Sequence, residues 1–302
     1  MLTQTFQNFE MIVVDDDPEG SSAETLRNYK DDRIITLRHR GRHGAAAAYN
    51  TGILAARGAF VCFLDDDDEY LTSFLEKTYS FFERQAAKDC GFVWTGIRRV
   101  RDTSDGEVLW YERNWSSPFA TREAAMIEAT SIGNGFGLTV RRRCFDRIGL
   151  FDPTFGLSED TELMFRLASR FDFAVVPEIL VKIHHHQGSQ LTDHRHYPMR
   201  VVFYQRIIDR YAAFLDNYPQ LLYVHLMSMV HLSYLAGMKG KGREIMVRIL
   251  RRNPCRVMAY LDGCCYELFG GNARSCTQRL AIRRPLMPFL RLRNHRARRH
   301  LA

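Results

Sequence analysis

Short apolar runs alternate with amphipathic segments through the first two thirds of the chain. Runs with the length and composition of buried β-strands occur at 9–14, 34–37, 60–64 and 91–97. Segments with helical spacing or strong helix formers lie between them, at 21–29, 45–56 and 71–88. This alternation predicts an α/β fold with a mostly parallel sheet flanked by helices, and with ligands at the carboxyl ends of the strands. Further strands are expected at 174–177 and 179–183, and Pro177 favours an edge position for the first of them.

The pattern changes after about residue 197, where long helical segments replace the strands. Helices are predicted at 199–211, 221–238 and 243–252, with a flexible turn at 237–242. We therefore predict one domain over 1–196 and a helical appendage over 197–302. The run at 221–238 carries no charged residue, but two histidines and two serines interrupt it, which favours a packed helix over a membrane span.

Composition and charge narrow the class of protein. The chain has 302 residues, 46% of them hydrophobic, which is enough to bury a sizeable core. Its seven cysteines show no C-x-x-C spacing, and the segment 1–10 lacks the basic start and apolar region of a signal peptide. We therefore expect a folded protein of the reducing cytoplasm.

The positive charge is concentrated at the end of the chain. The formal net charge is +7, no acidic residue follows Glu267, and nine arginines lie between 274 and 299. Apolar residues are interleaved with these arginines, so the tail is amphipathic. This pattern favours docking on an anionic membrane surface, at the inner face of the cytoplasmic membrane. One alternative is a disordered basic tail without a partner. Such charge can also bind nucleic acid, but nucleic acid is not the expected partner.

Acidic side chains follow two of the predicted strands. Asp65, Asp66, Asp67 and Asp68 come directly after the run at 60–64. Four carboxylates in this density need a counterion, and hard oxygen ligands suit Mg²⁺ or Mn²⁺. A solvated acidic turn before the next helix is the alternative. A second acidic turn, at 15–17, follows the run at 9–14.

Three later segments carry candidate chemistry. The glycine-rich stretch 132–140 indicates a backbone that approaches a ligand or another strand closely, and it lacks the Gly-Lys-Ser/Thr of a P-loop. Ser158 is predicted to cap a helix whose first turn carries Glu159 and Asp160. These acids either only stabilise the helix start, or Asp160 is a general base. Trp110 and Trp115 lie in a polar stretch that forms a hairpin or a loop, where they either stack on sugar rings or pack the loop.

Several short motifs together resemble family 2 glycosyltransferases of the GT-A fold, over about residues 2–192. The order and spacing match at Val14-Asp15-Asp16, Asn50-Thr51-Gly52, Arg57-Gly58, Phe63-Leu64-Asp65-x-Asp67-Asp68, Gly149-Leu150-Phe151-Asp152, Glu159-Asp160 and His184. The resemblance implies a metal-dependent, inverting enzyme of the hexosyltransferase type. Because no Q-x-x-R-W motif follows Asp160, it also implies a non-processive enzyme rather than a polysaccharide synthase.

The resemblance also implies roles for individual residues. The nucleotide-sugar donor, most simply a UDP-sugar, would be bound by Asp15, Asp16, Asn50, Asp65 and Asp66. The Mn²⁺ or Mg²⁺ ion would be held by Asp65, Asp67, Asp68 and His184. Asp160 resembles the base that deprotonates the acceptor hydroxyl. A glycan or lipid-linked acceptor of cell-envelope polysaccharide synthesis would lie near Glu159, Trp110 and Trp115.

The chain departs from the family pattern at three places. The family's first strand has no counterpart before the segment 2–5, Asp17-Pro18 replaces Gly-Ser, and Tyr49 stands where the family has arginine. These departures motivate an alternative, a GT-A-fold binding protein with impaired catalysis. A second alternative is a phosphoacceptor receiver domain, because the segment 12–18 resembles the first strand of such a domain. Asp65 would then be the phosphorylation site. The Met-Pro-x-x-Asp-Gly motif that should follow this site is missing, which argues against this alternative.

Overall fold

The computed structural model describes residues 1–20, 22–84, 90–103, 106–115, 118–185 and 194–252, together with 264, 266 and 267. The chain divides into two compact units. Unit 1 comprises 1–120 and 132–188, and unit 2 comprises 121–131 and 189–302. The basic tail beyond Glu267 and the residue His186 lie outside the described residues.

Unit 1 contains eight strands and five helices among its described residues. The strands are β1 (Met11–Asp15), β2 (Ile34–Arg38), β3 (Phe60–Cys62), β4 (Glu69–Tyr70), β5 (Cys90–Thr103), β6 (Gly106–Arg113), β7 (Thr139–Arg141) and β8 (Asp172–His185). The helices are α1 (Ser22–Arg27), α2 (Ala45–Ala55), α3 (Phe74–Arg84), α5 (Arg143–Ile148) and α6 (Glu159–Arg170), while α4 (Arg122–Ala129) belongs to unit 2. Short 3₁₀ turns occur at Asn134–Phe136 and Pro153–Ser158. The α/β class predicted from the alternation is confirmed.

The strands form two sheets rather than one. β1 and β2 pair in parallel, and the other strands form a six-stranded sheet in the order β3-β7-β5-β8-β4, with β6 paired to β5. In this larger sheet only β5 and β8 run parallel, and the remaining pairs are antiparallel. The sheet is therefore mixed and less parallel than the alternation predicts, because hairpins such as β5 to β6 return the chain without a helical crossover.

The predicted edge strands at 174–177 and 179–183 are one strand, β8, which lies between β5 and β4 in the strand order. The ladder to β5 shifts register between Thr95 and Gly96, where Thr95 pairs with Val176 and Gly96 with Ile179. Pro177 lies in this irregularity and donates to no ladder hydrogen bond. β4 pairs with β8 only at Val181 and Lys182, so β8 is interior only there, and among the described strands the stretch 174–177 pairs with β5 alone. The edge position predicted for this first run is therefore confirmed, and Pro177 lies where no second strand needs its missing N–H.

The core of unit 1 lies between the large sheet and its helices. Trp94 and Phe92 of β5 are fully buried, as is Phe165 of α6. Helix α3 buries Phe74 and Phe82, two turns apart, on the face that the helical spacing predicts. The sequence pattern therefore identified the inward faces of α3 and β5.

The segment before β1 is held by buried side-chain hydrogen bonds. Gln4 donates to Leu71 O at 2.8 Å and accepts from Leu75 N at 3.0 Å. Glu10 accepts from the backbone N–H groups of Arg57 and Gly58 at 2.7 and 2.9 Å. The Gln4 bonds attach the beginning of the chain to the segment before α3 and to the first turn of this helix, and the Glu10 bonds attach the start of β1 to the turn that leads into β3.

Unit 2 consists of helices among its described residues. Besides α4 it contains α7 (Tyr197–Arg210), α8 (Ala212–Leu215), α9 (Pro219–Leu235) and α10 (Lys239–Arg252). The apolar α9 is buried along most of its length. Within the described part of the chain, no helix is long and apolar enough to cross a membrane. The prediction of a flexible turn at 237–242 was wrong for 239–242, because these residues form the first turn of α10.

Candidate active site

The acidic turn after β3 forms a compact group of carboxylates. Oxygen atoms of Asp65, Asp67 and Asp68 all lie within 4.8 Å of one another. Asp65 and Asp67 are exposed, and Asp68 is partly buried. Asp66, between them, is also exposed and is not part of the group. The strand end thus brings three oxygen ligands to one point, which is the donor set that hard divalent cations prefer.

The protein raises the pKa of two of these carboxyls. Desolvation raises the pKa of Asp68 to about 7, helped by the charges of Asp65 and Asp67, whereas a hydrogen bond from His184 N at 3.1 Å and the charge of Arg99 oppose the rise. Solvent reaches the Asp65 carboxylate, yet protein atoms surround it on several sides, and this desolvation raises its pKa. Both pKa values are thus raised mainly by desolvation and secondly by the repulsion between neighbouring carboxylates.

Tyr49 contacts the acidic group from helix α2. Its hydroxyl donates a hydrogen bond of 2.5 Å to Asp65 Oδ1, and this bond lowers the pKa of Asp65 against the desolvation. The ring packs edge-on against Phe63, with centroids 5.3 Å apart, and tilted against Phe151 at 5.1 Å. The sequence marked Tyr49 only as a departure from the family pattern, and its contact with Asp65 was not predicted.

The glycine-rich segment lies close to both the acidic group and Asp160. A Cβ atom added to Gly133 would lie 2.6 Å from Asp160 Oδ2. A Cβ atom added to Gly135 would lie 3.6 Å from Asp68 Oδ2 and 3.9 Å from Asp65 Oδ2. The predicted close approach of this backbone is therefore an approach to carboxylates, to Asp160 at Gly133 and to Asp68 and Asp65 at Gly135.

Asp160 lies in the first turn of α6. Its Oδ1 accepts hydrogen bonds from Thr161 N at 2.6 Å and from Thr161 Oγ1 at 3.2 Å, while Oδ2 faces Gly133. Glu159, beside it, is buried. Ser158 makes no side-chain capping hydrogen bond to this helix. The predicted cap at Ser158 is therefore wrong, and the carboxylate of Asp160 bonds the helix start instead.

The ring of His184 lies away from the acidic group. Its Nδ1 is 3.0 Å from Asp102 Oδ1 and its Nε2 is 2.9 Å from Glu69 Oε1. The Lys182 ammonium lies 2.9 Å from Glu69 and 2.8 Å from Glu107, so these residues form an ion-pair network. Burial lowers the pKa of His184, but the acidic neighbours outweigh it and the pKa is raised.

Strand periodicity explains the separation. Ile183 faces Gly135, with its Cδ1 3.9 Å from a Cβ built there, so Ile183 is on the face of the sheet that carries the acidic group. His184 is the next residue of β8 and its side chain points to the opposite face. His184 therefore reaches Asp68 through its backbone N–H, while its imidazole belongs to the ion-pair network.

The acidic turn after β1 is organised by hydrogen bonds. Asp16 accepts from His39 Nδ1 at 2.6 Å and from Gly44 N at 2.7 Å, and also from His43 N. Desolvation raises the pKa of Asp16, but these bonds outweigh it and the pKa is lowered. Asp15 is buried and accepts from Asp17 N at 3.0 Å. Asp16 is thus an ionised carboxylate at the start of α2.

Both polar atoms of the Asn50 side chain bind the backbone of Phe151. Nδ2 donates to Phe151 O at 2.9 Å, and Oδ1 accepts from Phe151 N at 2.8 Å. The turn after α5 is thereby held against α2, next to the Tyr49 ring. The structure gives Asn50 a role in fixing this turn.

The two tryptophans predicted near the acceptor have different surroundings. Trp115 is 7% exposed and packs against Trp94 and Phe136, with centroids 6.0 and 6.1 Å apart. Trp110, in β6, is partly exposed and contacts His185 at 5.0 Å between ring centroids. Of the polar stretch 98–117, the described residues 98–103 and 106–113 pair as antiparallel strands, which is the hairpin among its two predicted conformations.

Arg99 is a further residue near the site that sequence reasoning did not single out. Burial lowers its pKa, while Asp68 and Tyr111 oppose this change. Its guanidinium lies over the Phe136 ring at 5.8 Å. A lone arginine in a polar stretch carries no local signal, so only the sheet register places this charge near Asp68.

Comparisons with known proteins agree with the geometry. Residues 1–149 match the family model of glycosyl transferase family 2. The UDP-Glc:alpha-D-GlcNAc-diphosphoundecaprenol beta-1,3-glucosyltransferase WfaP of Escherichia coli is 33% identical over 84 residues, which are 28% of this chain and 34% of the relative. The putative teichuronic acid biosynthesis glycosyltransferase TuaG of Bacillus subtilis is 35% identical over 111 residues, 36% of this chain and 42% of the relative.

These matches cover less than half of each relative's length. Among solved structures, S. aureus TarS 1-349 superposes with a TM-score of 0.50 at 15% identity, over 83% of this chain and 85% of that chain. At this identity the likeness concerns the fold alone. It confirms the GT-A type that the motifs implied.

Proposed function

We propose, from the premise that this chain belongs to glycosyl transferase family 2, that it transfers a sugar from a nucleotide-sugar donor to a hydroxyl of a glycan or lipid-linked acceptor. The relatives' names suggest UDP-glucose as donor and cell-envelope polysaccharide synthesis as setting. Family membership also disfavours the receiver-domain alternative, which would leave Asp160 without a role.

One observation carries the proposal. The turn at 133–135 is next to Asp160 at Gly133 and next to Asp65 and Asp68 at Gly135, so both carboxylate sites lie within contact distance of a Cβ added to one short turn. Transfer needs groups at both ends of the reacting centre, since charge develops on the leaving diphosphate while a proton leaves the attacking hydroxyl. The two carboxylate sites are arranged for these two tasks.

The acidic group fits a divalent cation. Its three carboxylates lie within 4.8 Å of one another, and the raised pKa of Asp68, about 7, reflects charge that a bound cation would stabilise. Asp65, Asp67 and Asp68 are the residues that would hold Mn²⁺ or Mg²⁺. Such an ion would neutralise the charge of the donor diphosphate.

Asp160 is the base in this proposal. Its Oδ2 takes the proton of the acceptor hydroxyl as that oxygen attacks the anomeric carbon. The bond from this carbon to the diphosphate breaks, and the nucleoside diphosphate leaves with the electron pair. Attack from the side opposite the leaving group inverts the anomeric centre.

The donor is bound by residues at the ends of β1 and β3. Asp15 and Asp16 lie at the end of β1, where a carboxylate accepts hydrogen bonds from a base or ribose. Asp66 remains a donor-side candidate as an exposed carboxylate. We assign Asn50 a positioning role, because both atoms of its amide bind Phe151. His184 holds Asp68 through its backbone.

Calorimetry with paired variants tests the proposal. Wild-type protein should bind UDP only when Mn²⁺ is present. Asp65→Asn should lose this binding, and Asp160→Asn should keep it while transfer from UDP-glucose to a lipid-linked acceptor is lost. Asp146→Asn, an exposed carboxylate on α5, is the matched control and should behave as wild type.

Two results would contradict parts of the proposed enzymatic function. UDP that fails to bind at millimolar concentration with Mn²⁺ would favour the alternative, a GT-A-fold binding protein with impaired catalysis. Equal loss of UDP binding in Asp160→Asn and Asp65→Asn would contradict the assignment of Asp160 as base.

The cellular location is a separate proposal. We place the protein at the inner face of the cytoplasmic membrane, because the nine arginines from Arg274 to Arg299 would attract anionic lipids. Co-sedimentation with liposomes that contain phosphatidylglycerol checks this. Deletion of 279–302 should abolish sedimentation, and unchanged sedimentation would remove the basis of the proposal.

A further inference from the structure

A β-bulge in the hairpin of unit 1 places Trp110 out of the regular ladder. Arg99 pairs with Tyr111, and the next residue, Val100, pairs with Leu109. Trp110 is the extra residue of β6 between these pairs. Bulges change the direction of a side chain and occur often beside active sites.

The bulge groups Trp110 with two basic residues of neighbouring strands. The Arg101 guanidinium carbon lies 5.2 Å from the centroid of the Trp110 ring. The His185 ring centroid lies 5.0 Å from that of Trp110. Arg101 and His185 are in register across β5 and β8, so the three side chains form one continuous row over three strands.

This row lies on the face of the sheet that carries the acidic group. Arg99 and Arg101 are two residues apart on β5 and share a face, and Arg99 interacts electrostatically with Asp68. Ile183 and His185 share the same face of β8, and Ile183 lies beside Gly135. Two strand residues span about 6.6 Å, so the row begins one sugar length beyond Arg99.

Arg101 has an unusual charge environment. It is exposed, and among the residues that the structure describes its guanidinium makes no hydrogen bond and no ion pair. Arg98, on the other face of the same strand, is by contrast paired with Glu112 at 2.7 Å. The acidic residues Asp102 and Glu107 of the hairpin are engaged by His184 and Lys182 on that other face.

We propose that Trp110, Arg101 and His185 form an acceptor subsite for a sugar ring that carries an anionic group. The indole offers a flat apolar surface for the ring, as aromatic side chains do for sugars and cations. The guanidinium offers planar donors for a phosphate or carboxylate on that sugar. This subsite deepens the proposed function and rests on it.

The subsite distinguishes between the two tryptophans that the sequence placed near the acceptor. Trp115 is buried against Trp94 and Phe136, and its outer face is covered by the Arg113 guanidinium at 4.4 Å. Trp110, in contrast, is partly exposed and lies beside Arg101, for which no acidic partner is found among the described residues. Trp115 therefore supports the hairpin and Trp110 contacts the acceptor.

Binding of small probes to the full chain tests this subsite. Saturating UDP and Mg²⁺, which is diamagnetic, first fill the donor site, so that an anionic probe does not bind there. N-acetylglucosamine 1-phosphate, glucuronic acid and neutral N-acetylglucosamine are then titrated and followed by saturation-transfer NMR. We expect the better of the two anionic sugars to bind about tenfold more tightly than the neutral one, as expected for a charge-assisted hydrogen bond.

Variants separate the two parts of the subsite. Arg101→Gln should remove the preference for the anionic sugar, and Trp110→Leu should weaken all three probes. Arg98→Gln is the matched control on the same strand and should bind as wild type. A phosphate preference indicates a lipid-linked sugar phosphate as acceptor, and a carboxylate preference indicates an acidic sugar.

The outcome is independent of the donor-site experiment. Retained UDP binding with equal affinities for charged and neutral sugars, or an Arg101→Gln variant that keeps the preference, would overturn the subsite while the proposed function stands. Wild-type protein that fails to bind UDP with Mn²⁺ would instead overturn the proposed function. Thermal melting of each variant checks that the hairpin is folded.

Discussion

The hydroxyl of Tyr49 donates a hydrogen bond of 2.5 Å to Asp65 Oδ1, and this joins helix α2 to the acidic turn after β3. The ring is held between Phe63 and Phe151, so the hydroxyl is directed by packing. A residue that departs from the family pattern thus orients a carboxylate that we assign to the metal.

Removal of this hydroxyl should weaken metal binding. Tyr49→Phe keeps the ring packing and deletes one hydrogen bond, which is typically worth about 0.5–1.5 kcal/mol, so Mn²⁺ affinity should fall about two- to tenfold. Calorimetric titration with MnCl₂ measures the change. Tyr29→Phe, at an exposed tyrosine of unit 1, should leave the affinity unchanged. An unchanged affinity in Tyr49→Phe would show that Asp65 is oriented by other contacts.

Metal binding should strengthen as the pH rises through about 7. The pKa of Asp68 is raised to about 7, so a proton competes with the cation below this value. The stability of the metal-free protein should depend on pH in the opposite direction and fall as the pH rises. A carboxyl with a raised folded pKa binds more protons when folded, and its contribution is lost as pH rises from about 4 to about 7.

Asp68→Asn should therefore raise the melting temperature at pH 8 and leave it nearly unchanged at pH 4. Differential scanning calorimetry of the metal-free protein measures both values. Asp146→Asn, with an exposed carboxyl, should show no such difference between the two pH values. If Asp68→Asn raises the melting temperature equally at pH 4 and pH 8, the stabilisation does not come from removing the negative charge of Asp68.

Substitutions in the glycine turn should separate transfer from donor binding. The Cβ of Gly133→Ala would lie 2.6 Å from Asp160 Oδ2, so the carboxylate must move. A displacement of about 1 Å at a catalytic group costs on the order of 10²-fold in rate. Mn²⁺-dependent UDP binding should remain.

Gly135→Ala is the matched variant, because its Cβ meets Asp68 only at 3.6 Å, which is ordinary contact. Its transfer rate should stay within a few-fold of wild type. Steady-state assays of both variants check the difference. Equal losses in the two would indicate that the turn tolerates no side chain for reasons unrelated to Asp160.

Asn50→Asp should destabilise the turn after α5. The aspartate still offers an oxygen that accepts the hydrogen bond from Phe151 N. Its second oxygen replaces the Nδ2 donor and repels Phe151 O. A lost and unsatisfied partner of this kind costs about 1–3 kcal/mol. Urea denaturation measures the loss, and Asn28→Asp, at an exposed asparagine, provides the control. A stability equal to wild type would mean that this pair of hydrogen bonds does not hold the turn.

Unit 2 should lose stability in mild acid because of His225. Thr130 Oγ1 donates to Met126 O, so His225 Nε2 donates to Thr130 at 2.8 Å and Nδ1 accepts from the Tyr204 hydroxyl. Burial lowers the pKa of His225 to about 3. A histidine whose pKa is lower in the folded than in the unfolded protein stabilises the fold above about pH 6.5. This stabilisation, on the order of 4 kcal/mol in total, is lost as the pH falls toward 3.

His225→Gln should make the melting temperature less dependent on pH between 7.5 and 5. His194→Gln, at an exposed histidine, should keep the wild-type dependence. Thermal melts followed by circular dichroism provide the comparison. A wild-type slope in His225→Gln would assign the acid sensitivity to other groups.

The sequence by itself determined the α/β class and the acids at the ends of β1 and β3, and its motifs resemble those of glycosyl transferase family 2, whose family model matches residues 1–149. These are local features, because burial imposes a period of two on strands and 3.6 on helices, and because a strand end must carry the polar groups of a site. Even Gly133 and Gly135 were predicted to approach something closely, although the sequence did not tell what.

Only the tertiary structure decided which side chains meet. His184 faces away from the acidic group because Ile183, one residue earlier, occupies the site face. Trp110 reaches the row with Arg101 through a bulge that one extra residue creates, and Tyr49 reaches Asp65 because aromatic rings direct it. Each of these contacts depends on register between distant segments, which no short stretch of sequence specifies.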